Sequence, residues 1–132
     1  MIYADTSALG KLFLPEPESE ALRHWLVEQR AQEDNTVVTS VVGIVELHRV
    51  AARSGASAQR AARQLVSRID QRGLTATTVA LASRLPPPSV RTLDALHIAT
   101  AAELPELTHL VTYDHRMLEA AAGYGLPTAS PA

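Results

Sequence analysis

Four acidic residues lie either near a boundary between two predicted secondary-structure elements or inside an apolar segment. They are Asp5, Glu46, Asp94 and Asp114. Carboxylates that share a pocket repel one another and raise each other's pKa, so a cluster of four requires a cation. Carboxylate and water are the ligands that Mg²⁺ prefers, and Mn²⁺ is a possible substitute. A cation held in this way activates water and stabilises phosphate oxygens during in-line attack, so convergence of the four acids would indicate phosphate-ester hydrolysis.

Each acid also has a purely structural interpretation. Asp5 and Asp114 precede helical patterns, and Asp is among the best N-cap residues. Asp94 falls in the first turn of its predicted helix, where the helix dipole favours a carboxylate. Glu46 lies in a helix so apolar that we expect it to be buried on most sides, and an ionised Glu there needs either a cation or a salt bridge to an Arg. The residues alone leave these alternatives open.

Polar neighbours of these acids are candidates for supporting roles. Thr6, Ser7 and Thr112 carry hydroxyl groups that could hold a carboxylate or a metal-bound water, or could equally cap backbone groups. His97 is three residues after Asp94, on the same helical face. It could orient Asp94 or contact a substrate, or it could be an ordinary helix-packing residue.

The elements that must position these residues alternate between strands and helices. The strands are predicted at residues 2–5, 36–40, 74–79, 109–112 and 126–129. The helices are predicted at residues 6–14, 18–32, 41–53, 57–72 (capped by Ser57), 79–85, 92–103 and 114–122, with a turn at Asp34–Asn35. This order predicts an α/β fold, a three-layer α/β/α sandwich with a mostly parallel, roughly five-stranded central sheet. In such a sheet, the carboxyl ends of the strands are where ligands bind.

Length and composition set further bounds. A chain of 132 residues predicts a single domain, residues 1–132, large enough to bury a core. No cysteine is present, which excludes disulfides and thiolate metal sites. The longest uncharged apolar stretch, Thr36 to Val45, is too short to cross a bilayer. The N-terminus lacks the basic segment of a signal peptide, so we expect a cytoplasmic protein.

Charge is unevenly distributed along the chain. The net charge is −2, which does not favour tight non-specific binding of nucleic acid. The stretch from Arg49 to Arg72 is nevertheless rich in Arg, whose forked guanidinium suits phosphate. This stretch could bind RNA backbone or a protein partner, or it could be an ordinary solvated helix face.

The four acids lie in motifs that resemble those of PIN-domain nucleases. These motifs are Ile2-Tyr3-Ala4-Asp5-Thr6-Ser7-Ala8-Leu9, Glu46-Leu47, Arg91-Thr92-Leu93-Asp94-Ala95-Leu96-His97-Ile98-Ala99, and Leu110-Val111-Thr112-Tyr113-Asp114. Each motif alone is weak, but their order and the length of the chain together are specific. The resemblance covers essentially the whole chain.

Small single-domain PIN proteins of this kind look most like VapC toxins of bacterial type II toxin–antitoxin pairs. The resemblance implies a Mg²⁺-dependent endoribonuclease, usually a homodimer, that cuts structured RNA such as tRNA or rRNA and stops translation. It also implies a cognate VapB-type antitoxin whose C-terminal segment blocks the site. By position, Asp5, Glu46, Asp94 and Asp114 match the acidic quartet, which is both catalytic and metal-binding, while Thr6, Ser7 and Thr112 match its hydroxyl residues.

Other classes fit the sequence less well. A receiver domain needs an acid pair near the first strand and a late Lys, but no Lys follows Lys11. A haloacid-dehalogenase-type phosphatase needs a second Asp two residues after the first, where Ser7 stands. The remaining alternatives are a non-catalytic PIN-like module that only binds a protein, and a metal-dependent nuclease that acts on DNA.

Overall fold

The protein is described by a computed structural model that covers residues 1–33 and 35–132, so the turn predicted at Asp34–Asn35 lies partly outside the described residues. The strands are β1 (Ile2–Ala4), β2 (Val37–Ser40), β3 (Asp70–Arg72), β4 (His109–Val111) and β5 (Thr128–Ala129). The helices are α1 (Thr6–Phe13), α2 (Ser19–Gln32), α3 (Val41–Arg53), α4 (Ala56–Val66), α5 (Ala76–Ser83), α6 (Thr92–Ala102) and α7 (His115–Gly123).

The strands form one parallel sheet in the order β3-β2-β1-β4-β5 over the described residues. Strand β1 is central, because Tyr3 pairs with Val38 of β2 on one side and with Leu110 of β4 on the other. The chain therefore runs outward from β1 through β2 to β3 and returns on the other side at β4. This reversal between β1 and β4 creates a crevice at the carboxyl edge of the sheet, which is the usual ligand position in such folds.

Successive side chains of β1 point to opposite faces of the sheet and enter two separate hydrophobic clusters. Ile2 and Ala4 pack with residues that include Leu9 and Leu47. Tyr3 packs on the other face with residues that include Ile98. Helices thus cover both faces, and the predicted three-layer α/β/α fold with a five-stranded sheet is confirmed.

The region between α3 and α6 corrects three predictions. The helix predicted from Ser57 to Arg72 begins after Gly55, whose φ of 97° is strained for other residues, and ends at Val66. The strand predicted at residues 74–79 is not formed, because Thr75 and Thr78 form a reciprocal capping box at the start of α5. The helix predicted at residues 79–85 therefore begins at Ala76 and ends at Ser83. The third strand is Asp70–Arg72, a short polar edge strand that has no apolar run to predict it.

Helix α3 is also more exposed than predicted. Its buried residues, Gly43, Leu47 and Ala51, repeat every four positions and form one stripe. Val45 points away from that stripe and is 59% exposed. The expectation of a helix buried on most sides is therefore wrong.

No helix in residues 1–33 or 35–132 has both the length and the apolar character to cross a bilayer.

Candidate active site

The four predicted acids gather around the crevice at the carboxyl edge of the sheet. Asp5 directly follows β1, and Asp114 lies between β4 and α7. Asp94 is in the first turn of α6, and Glu46 is in the second turn of α3. The charges of Asp114 and Asp5 both raise the pKa of Asp94, after the larger effect of its burial. Three carboxylates from distant parts of the chain therefore lie close enough to repel one another.

Asp5 is buried and hydrogen-bonded through both carboxylate oxygens. It is 3% exposed and forms the N-cap of α1, where Oδ1 accepts from the backbone N–H of Ala8 at 3.0 Å. Ser7 Oγ donates to Oδ1 at 2.7 Å, and Thr112 Oγ1 donates to Oδ2 at 2.7 Å. Burial raises the pKa of Asp5, and the hydrogen bonds from Thr112 and Ser7 oppose that rise. Asp5 therefore caps α1, as its structural interpretation predicts, and its carboxylate also remains part of the acid cluster.

The same two hydroxyl groups connect α1 to the loop after β4. Ser7 Oγ accepts from the backbone N–H of Tyr113 at 2.9 Å. Thr112 Oγ1 accepts from the backbone N–H of Asp114 at 3.1 Å. Ser7 and Thr112 therefore position the loop that carries Asp114 as well as the carboxylate of Asp5.

Glu46 is held at a single oxygen. Its Oε1 accepts from Thr6 Oγ1 at 2.8 Å and from His97 Nε2 at 2.6 Å. The hydrogen bond from His97 lowers the pKa of Glu46, burial opposes that change, and the hydrogen bond from Thr6 adds to it. Glu46 therefore stays ionised, and its partners are a hydroxyl and an imidazole rather than the Arg of the structural interpretation.

A buried hydrogen-bond chain continues behind His97. Its Nδ1 lies 2.6 Å from the hydroxyl oxygen of Tyr3, and His97 is 2% exposed. Burial raises the pKa of Tyr3, so the phenol stays protonated and donates to Nδ1 while Nε2–H donates to Glu46. The hydrogen bonds of His97 thus go to Glu46 and Tyr3 rather than to Asp94.

Tyr3 is the site residue that sequence reasoning missed. It occupies the central strand, where its ring is fully buried in the core. The available signal was chemical, because a buried phenol needs a hydrogen-bond partner. The sequence did not say which residue that partner would be.

Asp94 and Asp114 are held differently from Asp5 and Glu46. Asp114 is the N-cap of α7, and its Oδ1 accepts from the backbone N–H groups of Arg116 at 2.9 Å and Met117 at 3.4 Å. Within the part of the chain that the structure describes, the carboxylate of Asp94 accepts no hydrogen bond. Among the described residues, these two acids therefore have unused acceptor capacity.

The donor set fits a hard divalent cation in its chemistry. Its ligand atoms would be carboxylate oxygens, which Mg²⁺ and Mn²⁺ prefer. A bound cation would also reduce the repulsion that the neighbouring acids exert on the charge of Asp94. Among residues 1–33 and 35–132, however, no three or more His, Asp or Glu side chains stand at ligand spacing. The acids are therefore gathered but do not form a closed ligand set.

Known proteins resemble this chain in both sequence and fold. The PIN domain family profile matches residues 2–123. Ribonuclease VapC47 of Mycobacterium tuberculosis is 47% identical over 133 residues, covering 99% of this chain and 97% of the relative. Ribonuclease VapC46 of the same organism is 38% identical over 131 residues, covering 98% and 97%.

Solved structures agree on the fold. VapBC2 of Rickettsia felis, bound to a DNA fragment from its promoter, aligns with a TM-score of 0.77 at 20% identity over 100% of both chains. VapC20 of Mycobacterium tuberculosis, described as a Sarcin-Ricin loop cleaving toxin, aligns with a TM-score of 0.72 at 16% identity over 99% of this chain and 100% of that one. The resemblance found in the motifs is confirmed: this chain belongs to the PIN domain family and, within it, to the VapC type.

Proposed function

We propose that this protein is a divalent-metal-dependent endoribonuclease that cuts structured RNA, such as tRNA or rRNA, and so inhibits translation. The observation that carries the proposal is the convergence of Asp5, Asp94 and Asp114 at the carboxyl edge of the sheet, where the charges of Asp114 and Asp5 add to the effect of burial in raising the pKa of Asp94. The curated relatives are named ribonucleases, and one solved neighbour is described as cleaving the Sarcin-Ricin loop. Both facts support RNA over DNA as the substrate.

The acids are proposed to bind the cation, and their hydrogen-bond partners are proposed to position them. Asp5, Asp94 and Asp114 would hold Mg²⁺ or Mn²⁺, with Glu46 completing the set of acids. When bound, the cation would neutralise charge on the non-bridging phosphate oxygens and activate the attacking water. Thr112 and Ser7 fix the carboxylate of Asp5, and Thr6 and His97 fix that of Glu46.

Water, rather than the ribose 2′-hydroxyl, is the proposed nucleophile. The products should therefore carry a 5′-phosphate and a 3′-hydroxyl. Mass spectrometry of the fragments tests this point, and a 2′,3′-cyclic phosphate would contradict it.

The decisive experiment is cleavage of end-labelled total tRNA and rRNA by antitoxin-free protein in Mg²⁺, in Mn²⁺ and in EDTA. We expect cuts at discrete sites in either metal and none in EDTA. Asp5→Asn and Asp94→Asn should each reduce cleavage about a thousandfold, because each removes a ligand that stabilises charge in the transition state. Asp70→Asn is the matched control, because Asp70 is an exposed acid on the edge strand β3.

Three results would contradict the proposal. Folded wild-type protein that binds Mg²⁺ but cuts no RNA would favour the non-catalytic binding module. Cleavage of DNA but not of RNA would favour the DNA nuclease. Full cleavage by Asp94→Asn would show that this acid is only structural.

A VapB-type antitoxin is the proposed partner, and two solved neighbours are VapBC assemblies. A groove of about 550 Å³ runs along α3 beside Glu46 and Thr6. Its apolar wall includes the exposed side chains of Val41, Val45 and Leu93. An antitoxin segment seated there would cover Glu46.

Co-purification with the antitoxin tests this assignment of the groove. We expect Val45→Asp to weaken both co-purification and inhibition of cleavage. Val79→Asp is the control, because Val79 is similarly exposed but lies on α5. If Val45→Asp and Val79→Asp co-purified with the antitoxin equally well, this assignment of the groove would be contradicted.

The homodimer stays a prediction. Light scattering of the antitoxin-free protein tests it, and a mass near 14.2 kDa would be that of a monomer.

A further inference from the structure

A second cavity opens on the other side of Asp94. It has a volume of about 490 Å³ and lies between the segment that precedes α6 and the first turns of α7. That volume falls within the range of about 300 to 1,000 Å³ that small-ligand sites span. Because Asp94 forms part of its wall, a group that enters the cavity lies next to the acid cluster.

Two Arg residues from different elements line this cavity. Arg91 is the N-cap residue of α6, and its charge acts on the carboxylate of Asp94, whose pKa it lowers against the larger effect of burial. Arg116 is in the first turn of α7. Within residues 1–33 and 35–132, neither forms a salt bridge. Both side chains are exposed and can bind a phosphate through paired N–H groups.

The remaining wall offers one acceptor and some apolar surface. Glu119 lies one turn after Arg116 on α7, and an ionised carboxylate only accepts hydrogen bonds. Val90 and Ala120 supply apolar contact. A flat base can lie against such side chains and against the plane of a guanidinium. Cations for phosphate, an acceptor and an apolar wall together match a single nucleotide.

We propose that this cavity is the subsite for the unpaired nucleotide next to the scissile phosphate. Arg91 and Arg116 bind its phosphates, and Glu119 accepts a hydrogen bond from the amino group of its base. This inference rests on the proposed ribonuclease function. The nucleotide must be unpaired because paired bases in an A-form helix cannot turn out into a protein cavity. Guanine, adenine and cytosine carry an exocyclic amino group and are accepted, whereas uracil donates only through its ring N3–H, which is not at the amino position, and is disfavoured.

Binding without cleavage tests the two Arg residues. The probe is a fluorescently labelled RNA that the wild-type protein cuts, and its anisotropy is measured in EDTA so that it stays intact. Arg91→Ala and Arg116→Ala should each weaken binding roughly tenfold, as expected for one lost charged contact. Each should also lower the slope of log affinity against log salt by about 0.7, the value for one phosphate contact on a single strand.

Arg84→Ala is the matched control, because Arg84 is an exposed Arg that does not line the cavity. It should change binding less than twofold. Wild-type protein that neither cuts nor binds any RNA would overturn the proposed function, and the subsite with it. Wild-type protein that cuts RNA, with both Arg variants binding like the control, would overturn the subsite alone.

Glu119→Gln tests whether Glu119 recognises the base. Cleavage rates are compared for four RNAs that differ only at the nucleotide next to the cut. Wild-type protein should cut the RNA with uracil there about tenfold more slowly than the others. Glu119→Gln should reduce that preference to about twofold, because the amide both donates and accepts. An unchanged preference would overturn the role of Glu119, and circular dichroism confirms that each variant is folded.

Discussion

Asp5 and Glu46 accept hydrogen bonds from the side chains of Ser7, Thr112, Thr6 and His97. By contrast, Asp114 is held by backbone N–H groups, and no described residue donates to the carboxylate of Asp94. We call Asp5 and Glu46 the hydrogen-bonded half of the acid cluster, and Asp94 and Asp114 the open half. The two halves differ in what stabilises their negative charge.

The hydrogen-bonded half is prepared by the protein itself. Taking a carboxylate out of water is costly unless donors replace the lost hydration. Ser7 and Thr112 do this for Asp5, and His97 does it for Glu46, which keeps the pKa of Glu46 low. In the open half, Asp114 accepts only from backbone N–H groups among the described residues, and the pKa of Asp94 is raised by its burial and by its acidic neighbours. We infer that the protein fixes one half in advance and leaves the other to respond to a cation and to substrate.

The largest expected effect on stability comes from Gly43→Ala, which would disrupt the hydrogen-bonded half. A Cβ at residue 43 would lie 2.3 Å from Thr39 Oγ1 and 3.3 Å from His97 Cε1. We expect the free energy of unfolding to fall by about 2 kcal/mol, as for overpacking in a core. Urea unfolding measures it. Gly10→Ala is the control, because a Cβ there meets nothing within 4 Å. Equal stability of Gly43→Ala and wild type would show that His97 is not held by close packing.

The open half should respond most strongly to metal. Mg²⁺ should raise the free energy of unfolding by about 1.4 kcal/mol at ten times its Kd, because it binds only the folded state. Asp94→Asn should abolish the gain, whereas Asp70→Asn should keep it. Thermal unfolding with and without Mg²⁺ measures this. An undiminished gain in Asp94→Asn would place the cation away from the open half.

Tyr3→Phe removes one hydrogen bond behind His97 and keeps the buried ring. We expect the free energy of unfolding to fall by about 1 kcal/mol, since Nδ1 of His97 loses its partner in the core. Tyr124→Phe is the matched control, because Tyr124 is 38% exposed. If the two variants lost the same stability, the hydrogen-bond chain would contribute nothing specific to Glu46.

The smallest expected effect is a pH dependence of opposite sign at Glu46 and Asp94, one acid from each half. The folded pKa of Glu46 lies below its ordinary 4.5, so its stabilisation is present above that pH and is lost as pH falls through the folded value. The folded pKa of Asp94 lies above its ordinary 3.8, so its charge destabilises at neutral pH and stability is gained as pH falls through the folded value.

Urea unfolding in EDTA between about pH 3.5 and 7 tests this contrast. At pH 7, Asp94→Asn should be more stable than wild type and Glu46→Gln less stable. Each difference should be under about 1 kcal/mol, because both groups are partly exposed, and each should shrink as pH falls. The same sign of change in both variants would remove the distinction between the halves.

Local rules predicted much of the fold and the positions of the acids. Asp5 and Asp114 stand where strand-end and N-cap arguments place them, and Ser40 caps α3 as Asp residues cap α1 and α7. These caps depend on residues two or three positions apart, so a single sequence displays them. The roles of the acids in metal binding and catalysis stay predictions.

Features that depend on distant partners were not predictable in this way. His97 contacts Glu46 across 51 positions and Tyr3 across 94, and no periodicity encodes either pairing. Strand β3 was missed because it is a polar edge strand, whose pairing with β2 relies on backbone groups alone. Its exposed side chains carry no hydrophobic pattern for a sequence argument to detect.

The hydrogen bond between Asp5 and Thr112 joins residues 107 positions apart. Asp5 is therefore synthesised well before Thr112, the residue that completes its hydrogen bonds. A nascent or prematurely terminated chain that stops before β4 has Asp5 and Glu46 but lacks both Thr112 and Asp114. Under the proposed function, the protein would therefore acquire its capacity to damage RNA only after β4 and the loop that carries Asp114 have been synthesised.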